Sequence, residues 1–234
     1  MMKASEIDEI LNRAARERPE LDPALLGRIS DTMAAELKPV QPLPSTGVLS
    51  AVLLAIGAAV GLVGAAIAGF HGLERQSLPQ RLSIFALLGL LAWAAAAAFA
   101  QAMIPGSRQR LRPGNLALLS VLLLLGLFGL LFDDYRTSAF VSTGVACLST
   151  GVLGALPTAL LGWRFLRRGF AVSTVAAGVA AGTLAGLSGV LLLELHCDNF
   201  QALHVLVWHT AVVPISAAAG AAVGWLLGRP RKRA

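Results

Sequence analysis

The sequence predicts an all-α protein of the polytopic membrane class, with six transmembrane helices preceded by a short cytoplasmic helical tail. Hydrophobic residues make up 56% of the 234 residues and charged residues only 14%, whereas an average soluble domain carries about 25% charge. Beyond residue 46 the charges fall in short clusters, and the apolar stretches between them are long enough to cross a bilayer. We place the spans at residues 47–70, 82–104, 115–132, 141–163, 171–193 and 204–228.

Residues 1–46 differ from the rest and predict two short amphipathic helices followed by a proline-rich linker at residues 39–46. The first helix begins at an S-x-x-D capping signature, and the second begins at Asp22-Pro23, an N-cap followed by proline. Apolar residues recur at helical spacing in both helices. In the first they are Ile7, Ile10, Leu11 and Ala14, and in the second they are Leu25, Leu26, Ile29 and Met33.

The apolar faces of these two helices need a partner. Chains below about 40 residues seldom bury a core of their own. The polar faces carry acidic and basic side chains together, whereas a helix that lies on lipid is more uniformly basic. This mixture favours binding in a groove of a cytoplasmic protein, with the membrane surface or disorder as the alternatives.

Glycines repeat every four residues within the predicted spans, so they lie along one stripe of each helix. Small residues at this spacing allow helix backbones to approach closely. We therefore expect a compact bundle of helices. The stripes are Gly57 and Gly61; Gly178, Gly182 and Gly186; and Gly220, Gly224 and Gly228.

The distribution of basic residues predicts that both termini lie in the cytoplasm. In this orientation 16 of the 19 Lys and Arg residues lie on the cytoplasmic side, in agreement with the positive-inside bias. The other three are Arg75, Arg81 and Arg136. Residues 229–234 then form a basic cytoplasmic tail after a membrane domain at residues 47–228. The net charge of +6 is therefore a topology signal, and we expect no direct binding of nucleic acid.

The stretch 195–209 holds one of the two cysteines and three of the four histidines. Cys197 falls in a predicted outer loop, residues 194–203, and Cys147 lies near the outer end of the fourth span. Both thiols are therefore expected at similar depth on the oxidising side of the membrane. They can form a disulfide if their Cα atoms come within about 4.4–6.8 Å.

Thiol and imidazole groups also bind soft metals, so a transient soft metal ion is the one candidate cofactor. The candidate ligands are Cys147, Cys197, His196 and His204, although no CxxC or HxxxH pair is present. His204 and Trp208 share one face of the sixth helix. His209 lies about 140° from His204 on a regular α-helix, so we do not expect these two histidines to bind one ion. The residues that are candidates for metal binding or a hydrogen bond are His196, His204, His209 and Trp208, and His209 is also a candidate for a functional role inside the bundle.

No catalytic constellation occurs in the sequence, so we do not expect an enzyme. The spans are taken to be free of carboxylates, which argues against a proton-coupled transporter. A small metal or solute carrier and a membrane thiol oxidoreductase remain as alternatives. The second is weakened by the absence of a CxxC motif.

Beyond the helical tail and the six spans, the distinctive residues of the chain are Cys147, His196, Cys197, His204, Trp208 and His209. In this combination the chain resembles the NrsF-type membrane anti-sigma factors, which are negative regulators of extracytoplasmic-function sigma factors in bacteria. The resemblance implies that the apolar faces of the tail hold a sigma factor at the inner membrane. It also implies that Cys147 and Cys197 are a periplasmic pair that senses oxidants or thiol-reactive metals. The family often has proline after the second cysteine, where this chain has Asp198.

Overall fold

Six long apolar helices confirm the predicted all-α membrane fold in the computed structural model. The structure describes residues 22–36, 44–104, 106–107, 111–137, 139–168, 171 and 173–229, together with Glu6, Glu9, Asn12 and Arg13. No strand occurs within these residues. The described helices are, in chain order, α1 (Pro23–Glu36), α2 (Thr46–Ala68), α3 (His71–Arg75), α4 (Leu78–Met103), α5 (Pro113–Leu131), α6 (Phe140–Arg168), α7 (Thr174–His196) and α8 (Ala202–Gly228). Helices α1 and α3 are short, and the other six are the candidate membrane spans.

Local capping decides where α4 begins. The helix starts at Leu78, four residues before the predicted span. The side chain of Gln80 accepts a hydrogen bond from the Ser77 amide at 2.9 Å, and Pro79 occupies the first turn. A capping box with an early proline is a strong signal for a helix start, and it lies outside the apolar run from which the span was predicted.

The end of α7 corrects one prediction. The fifth span was placed at residues 171–193, so Glu194 was assigned to an outer loop. In the structure α7 continues to His196, and Glu194 lies inside the helix and is fully buried. The expectation that the spans are free of carboxylates is therefore wrong, and it no longer weighs against a proton-coupled transporter.

Helix α7 forms the centre of the membrane bundle. It packs against α2, α4, α5, α6 and α8. Within its apolar window 78% of the residues are buried, against 22–39% in the other five spans. The stretch from Ala181 to Val190 is buried without interruption. A helix that is apolar on all sides belongs in the interior of a bundle, and the small side chains of α7 allow neighbours to surround it.

The close approach of α7 and α8 depends on glycines that face each other. A Cβ atom built on Gly178 would overlap the carbonyl oxygen of Gly220, and one built on Gly220 would overlap the carbonyl oxygen of Gly178. Gly182 meets the carbonyl oxygen of Ser216 in the same way. The prediction that glycine stripes bring helix backbones together is confirmed for this pair of helices.

Residues 1–43 form a unit of their own, separate from the membrane unit that begins at Pro44. Helix α1 starts after Asp22, whose carboxylate accepts a hydrogen bond from the Ala24 amide at 2.9 Å. The four apolar residues of its predicted binding face are 41–64% exposed: Leu25, Leu26, Ile29 and Met33. The predicted binding residues of the first helix and the end of the basic tail lie outside the described residues; they are Ile7, Ile10, Leu11, Ala14 and residues 230–234.

We expect the substitution Gly182→Leu to destabilise the membrane bundle by at least the roughly 1–3 kcal/mol typical of overpacking, because the backbone of α8 cannot move aside as a side chain could. Gly126→Leu on α5 is the matched control, since a Cβ there meets nothing within 4 Å. Thermal unfolding of both variants in detergent, followed by circular dichroism, checks the prediction. Equal midpoints for the two variants would contradict the backbone contact.

Candidate functional site

Three connections between spans meet at one end of the bundle, which we call the cysteine end: residues 69–77, which include α3, and the loops 132–137 and 197–201. The amide of Ala202 donates a hydrogen bond to the carbonyl oxygen of Asp134 at 2.7 Å, which connects the start of α8 to the loop after α5. Arg75 and Asp198 form an ion pair with an N–O distance of 3.8 Å. These contacts hold the ends of α5 and α7 beside the start of α8.

Cys147 and Cys197 are in contact at the cysteine end. Cys147 lies two turns into α6, and Cys197 directly follows α7. Their Sγ atoms are 3.2 Å apart, and both residues are free thiols. A disulfide bond is about 2.05 Å long, so the two sulfur atoms need only a small displacement to form one. The structure therefore brings together the two cysteines that were paired from the sequence.

The environment of Cys197 favours its protonated form. Contact with the Cys147 thiol raises the pKa of Cys197, and burial raises it further, whereas the neighbouring His204 lowers it. An ordinary cysteine already has a pKa of about 8.5. A cation that binds the sulfur of Cys197 must therefore displace its proton, because the thiolate is the form that binds metals and reacts with oxidants.

A π-helical turn at Val205–His209 interrupts α8 and brings two histidines to the same face. The amide of Thr210 donates a hydrogen bond to the carbonyl oxygen of Val205, five residues earlier, as π geometry requires. His204 and His209 consequently lie side by side, with ring centroids 5.3 Å apart. The expected separation of about 140° between them is therefore wrong, because it assumed the spacing of a regular α-helix.

Four potential metal ligands converge at this point, and we call them the ligand quartet: Cys147, Cys197, His204 and His209. One ligand atom from each residue lies within 4.8 Å of the others. Nε2 of His204 is 3.6 Å from Sγ of Cys197. Both histidines are fully buried. The quartet contains three of the four ligands that were proposed from the sequence, and His209 is the addition.

A buried carboxylate that was predicted to lie in a loop, Glu194, holds His209 in place. Oε1 of Glu194 lies 2.7 Å from Nδ1 of His209, and both side chains are fully buried. Gln76 donates from Nε2 to Oε2 of Glu194 at 3.2 Å and to its main-chain carbonyl oxygen at 3.0 Å. A signal for Glu194 was present in the sequence, since the leucines at 191–193 and 195 carry the apolar helical pattern past it.

Two of the residues singled out from the sequence lie outside the quartet. Nδ1 of His196 is 3.2 Å from the carbonyl oxygen of Gly69, and its ring centroid is 6.0 Å from that of His71. The ring of Trp208 packs against Phe140 at 5.5 Å. The structure therefore does not bring His196 to the cysteines, and Trp208 serves in packing α8 against α6.

The fold and the ligand quartet together define a six-helix membrane protein with buried thiol and imidazole groups at one end of the bundle. The family model described as negative regulator of sigma F matches residues 33–229, which is most of the chain. The chain therefore belongs to this family, and the resemblance drawn from the sequence is confirmed. The family's description makes a sigma factor the regulated partner and negative regulation the role. No curated protein and no solved structure matches the chain.

We expect oxidation of the chelator-treated protein to produce an intramolecular Cys147–Cys197 disulfide, because the two sulfur atoms are already in contact. The oxidant, such as diamide, accepts the two electrons and two protons that the thiols release. Purified protein in detergent is oxidised, denatured and labelled with a maleimide polymer. We expect no label after oxidation and two labels per chain after reduction. Cys147→Ser is the control, since it retains one reactive thiol under both conditions. Disulfide-linked dimers as the main product would contradict the observed contact.

Proposed function

We propose that this protein is a membrane-bound anti-sigma factor of the bacterial inner membrane. Its N-terminal tail holds an extracytoplasmic-function sigma factor in the cytoplasm and so keeps that factor from RNA polymerase. Oxidant or metal stress on the periplasmic side modifies Cys147 and Cys197, and the sigma factor is released. The observation that carries the proposal is the contact of these two thiols at the end of the bundle opposite Thr46, where the membrane unit receives the tail.

The tail offers the sigma factor an apolar surface. Leu25, Leu26, Ile29 and Met33 of α1 remain 41–64% exposed, although they lie along one face of the helix. An amphipathic helix with an uncovered apolar face is the usual form of a helix that binds in a groove of a partner protein. The family match begins at residue 33, so most of this surface precedes it and belongs to the proposal.

The orientation rests on the end of the bundle opposite the cysteines. Arg167 lies 5.1 Å from the ring centroid of Trp163, and Arg229 lies 3.5 Å from that of Trp225. Arg112 directly precedes α5 at the same end. Tryptophan is enriched at membrane interfaces, and arginine is enriched on the cytoplasmic side. This arrangement supports a cytoplasmic location for both termini and a periplasmic location for the cysteine end.

Helix α7 supplies a route from Cys197 to the tail. The glycines of α2 pack closely on side chains of α7, since a Cβ atom on Gly57 would be 2.9 Å from Oγ of Ser188 and one on Gly61 would be 2.7 Å from a methyl carbon of Leu191. A displacement of the end of α7 therefore acts on α2, whose first residues continue from the linker. A modification of the cysteines can shift the equilibrium between the state that holds the sigma factor and the state that releases it only if its free energy differs between those two states. A disulfide or metal bridge that forms in one state provides that difference.

We expect the double substitution Leu26→Asp and Ile29→Asp to abolish binding of the sigma factor, because it places charges in the proposed apolar contact. Ala24→Asp is the matched control, since it adds a charge on the far side of the same helix. Full-length proteins are purified from membranes of the native host, and co-purifying sigma factors are identified by mass spectrometry. A sigma factor recovered equally with all three proteins would show that the tail face is not the binding surface.

We expect Cys147→Ser and Cys197→Ser, singly and together, to abolish the response of the target regulon to oxidants or thiol-reactive metals. Ala146→Ser, one residue away on the exposed side of α6, is the control and keeps the response. Transcription of the regulon before and after stress is the measurement. A normal response of the double variant to every inducer would mean that the cysteines are structural. Uptake of a solute by vesicles that contain the protein would instead indicate a carrier.

A further inference from the structure

We propose that the ligand quartet is a tetrahedral binding site for Zn²⁺, in which Glu194 and Gln76 orient His209 toward the ion. This inference deepens the proposed function, because it names a ligand for the same cysteine pair. Metal binding is nevertheless measured on the purified protein and does not depend on any sigma factor. The site draws its ligands from α6, the loop after α7, and the first turns of α8.

The geometry of the quartet is close to that of a four-coordinate zinc site. With Zn–S bonds of about 2.3 Å and Zn–N bonds of about 2.0–2.1 Å, the edges of the tetrahedron measure about 3.4–3.8 Å. The distance from Sγ of Cys197 to Nε2 of His204 is 3.6 Å, and that between the two sulfur atoms is 3.2 Å. All four ligand atoms lie within 4.8 Å of one another. Adjustments of about an ångström or less therefore complete the tetrahedron.

The surroundings of His209 point independently to a cation. Its Nδ1 atom is engaged by Glu194 at 2.7 Å, which leaves Nε2 for the quartet. Nε2 is fully buried and makes no hydrogen bond of acceptable geometry among the described residues, although His209 is close enough to the Cys197 thiol to interact with it. A buried polar atom without a partner is costly. A metal ion bound at Nε2 removes that cost, and a carboxylate on the opposite ring nitrogen is the usual support for a zinc-bound histidine.

The chemistry of the quartet selects the metal. Two sulfur and two imidazole ligands in a tetrahedral arrangement favour Zn²⁺ and its larger relative Cd²⁺, whereas Mg²⁺ and Ca²⁺ require oxygen ligands. Two thiolates neutralise the charge of one divalent cation, which matters because an uncompensated charge is expensive inside a membrane protein. The sulfur atoms cannot form a disulfide while they bind the ion, so metal binding and oxidation compete for the same pair.

Cobalt spectroscopy tests the site on the full-length protein in detergent, after reduction and removal of metal with a chelator. Co²⁺ replaces Zn²⁺ and reports thiolate ligation by a charge-transfer band and tetrahedral geometry by intense visible bands. We expect one Co²⁺ per chain, displaced by one Zn²⁺. Binding without a thiolate band, or no binding, would overturn the proposal.

Variants separate the quartet from the other histidines. We expect His209→Gln to lose the four-ligand spectrum and to weaken Zn²⁺ binding at least tenfold. His196→Gln is the matched control and leaves both unchanged. Glu194→Gln keeps all four ligands, so the spectrum persists while the Zn²⁺ affinity falls about 10–100-fold, as for other residues that support a metal ligand. Full affinity in His209→Gln, or an equal loss in His196→Gln, would overturn the assignment.

Folding of each variant is checked by its thermal unfolding in detergent, followed by circular dichroism, because a cooperative transition near that of the unsubstituted protein shows that the bundle is assembled. If His209→Gln fails this check, the change of Zn²⁺ affinity in Glu194→Gln decides the question, and an unchanged affinity there counts against the proposal.

The proposed function and the zinc site also fail in different ways. If the protein binds no metal but its tail still binds a sigma factor, only the zinc site is overturned. If the protein binds Zn²⁺ but its tail binds no sigma factor, only the proposed function is overturned.

Discussion

Backbone contact between α7 and its neighbours is the constraint on which the rest of the structure depends. Lipid chains are as apolar as leucine, so helices in a bilayer associate through close packing. Gly178, Gly182 and Gly220 allow α7 and α8 to touch along their backbones, and this contact places α7 inside the bundle. Its last turn is then inside as well. Glu194 is consequently buried, and Cys197 is held at the point where α6 and α8 meet.

The same placement explains why polar groups accumulate at the cysteine end. A carboxylate inside a membrane protein is costly unless it is paired. Glu194 finds that pairing in His209 and Gln76, which come from α8 and from the loop before α4. A polar network shared by three separate elements forms only when all three are assembled. It therefore ties the chemistry of the site to the packing of the bundle.

The two thiols give this end of the bundle two mutually exclusive chemistries. Their sulfur atoms can join each other with loss of two electrons, or they can bind a cation without any change of oxidation state. Each reaction joins α6 to the end of α7, the helix that contacts every other span. A change at the cysteine end therefore acts first on the most buried helix, and through it on every other span.

Apolar length and the placement of charge are properties of the chain, so the sequence by itself determined the six spans and the separate tail. It predicted Cys147 and Cys197 at similar depth, but only the structure shows that their sulfur atoms are in contact. It did not determine the end of α7, because an apolar run shows where a span lies more sharply than where it stops. Glu194 was assigned to a loop for that reason. Nor did it determine that His204 and His209 lie on the same face of α8, since a π turn depends on how α8 is held by its neighbours. Only the tertiary structure decided which histidines face the thiols.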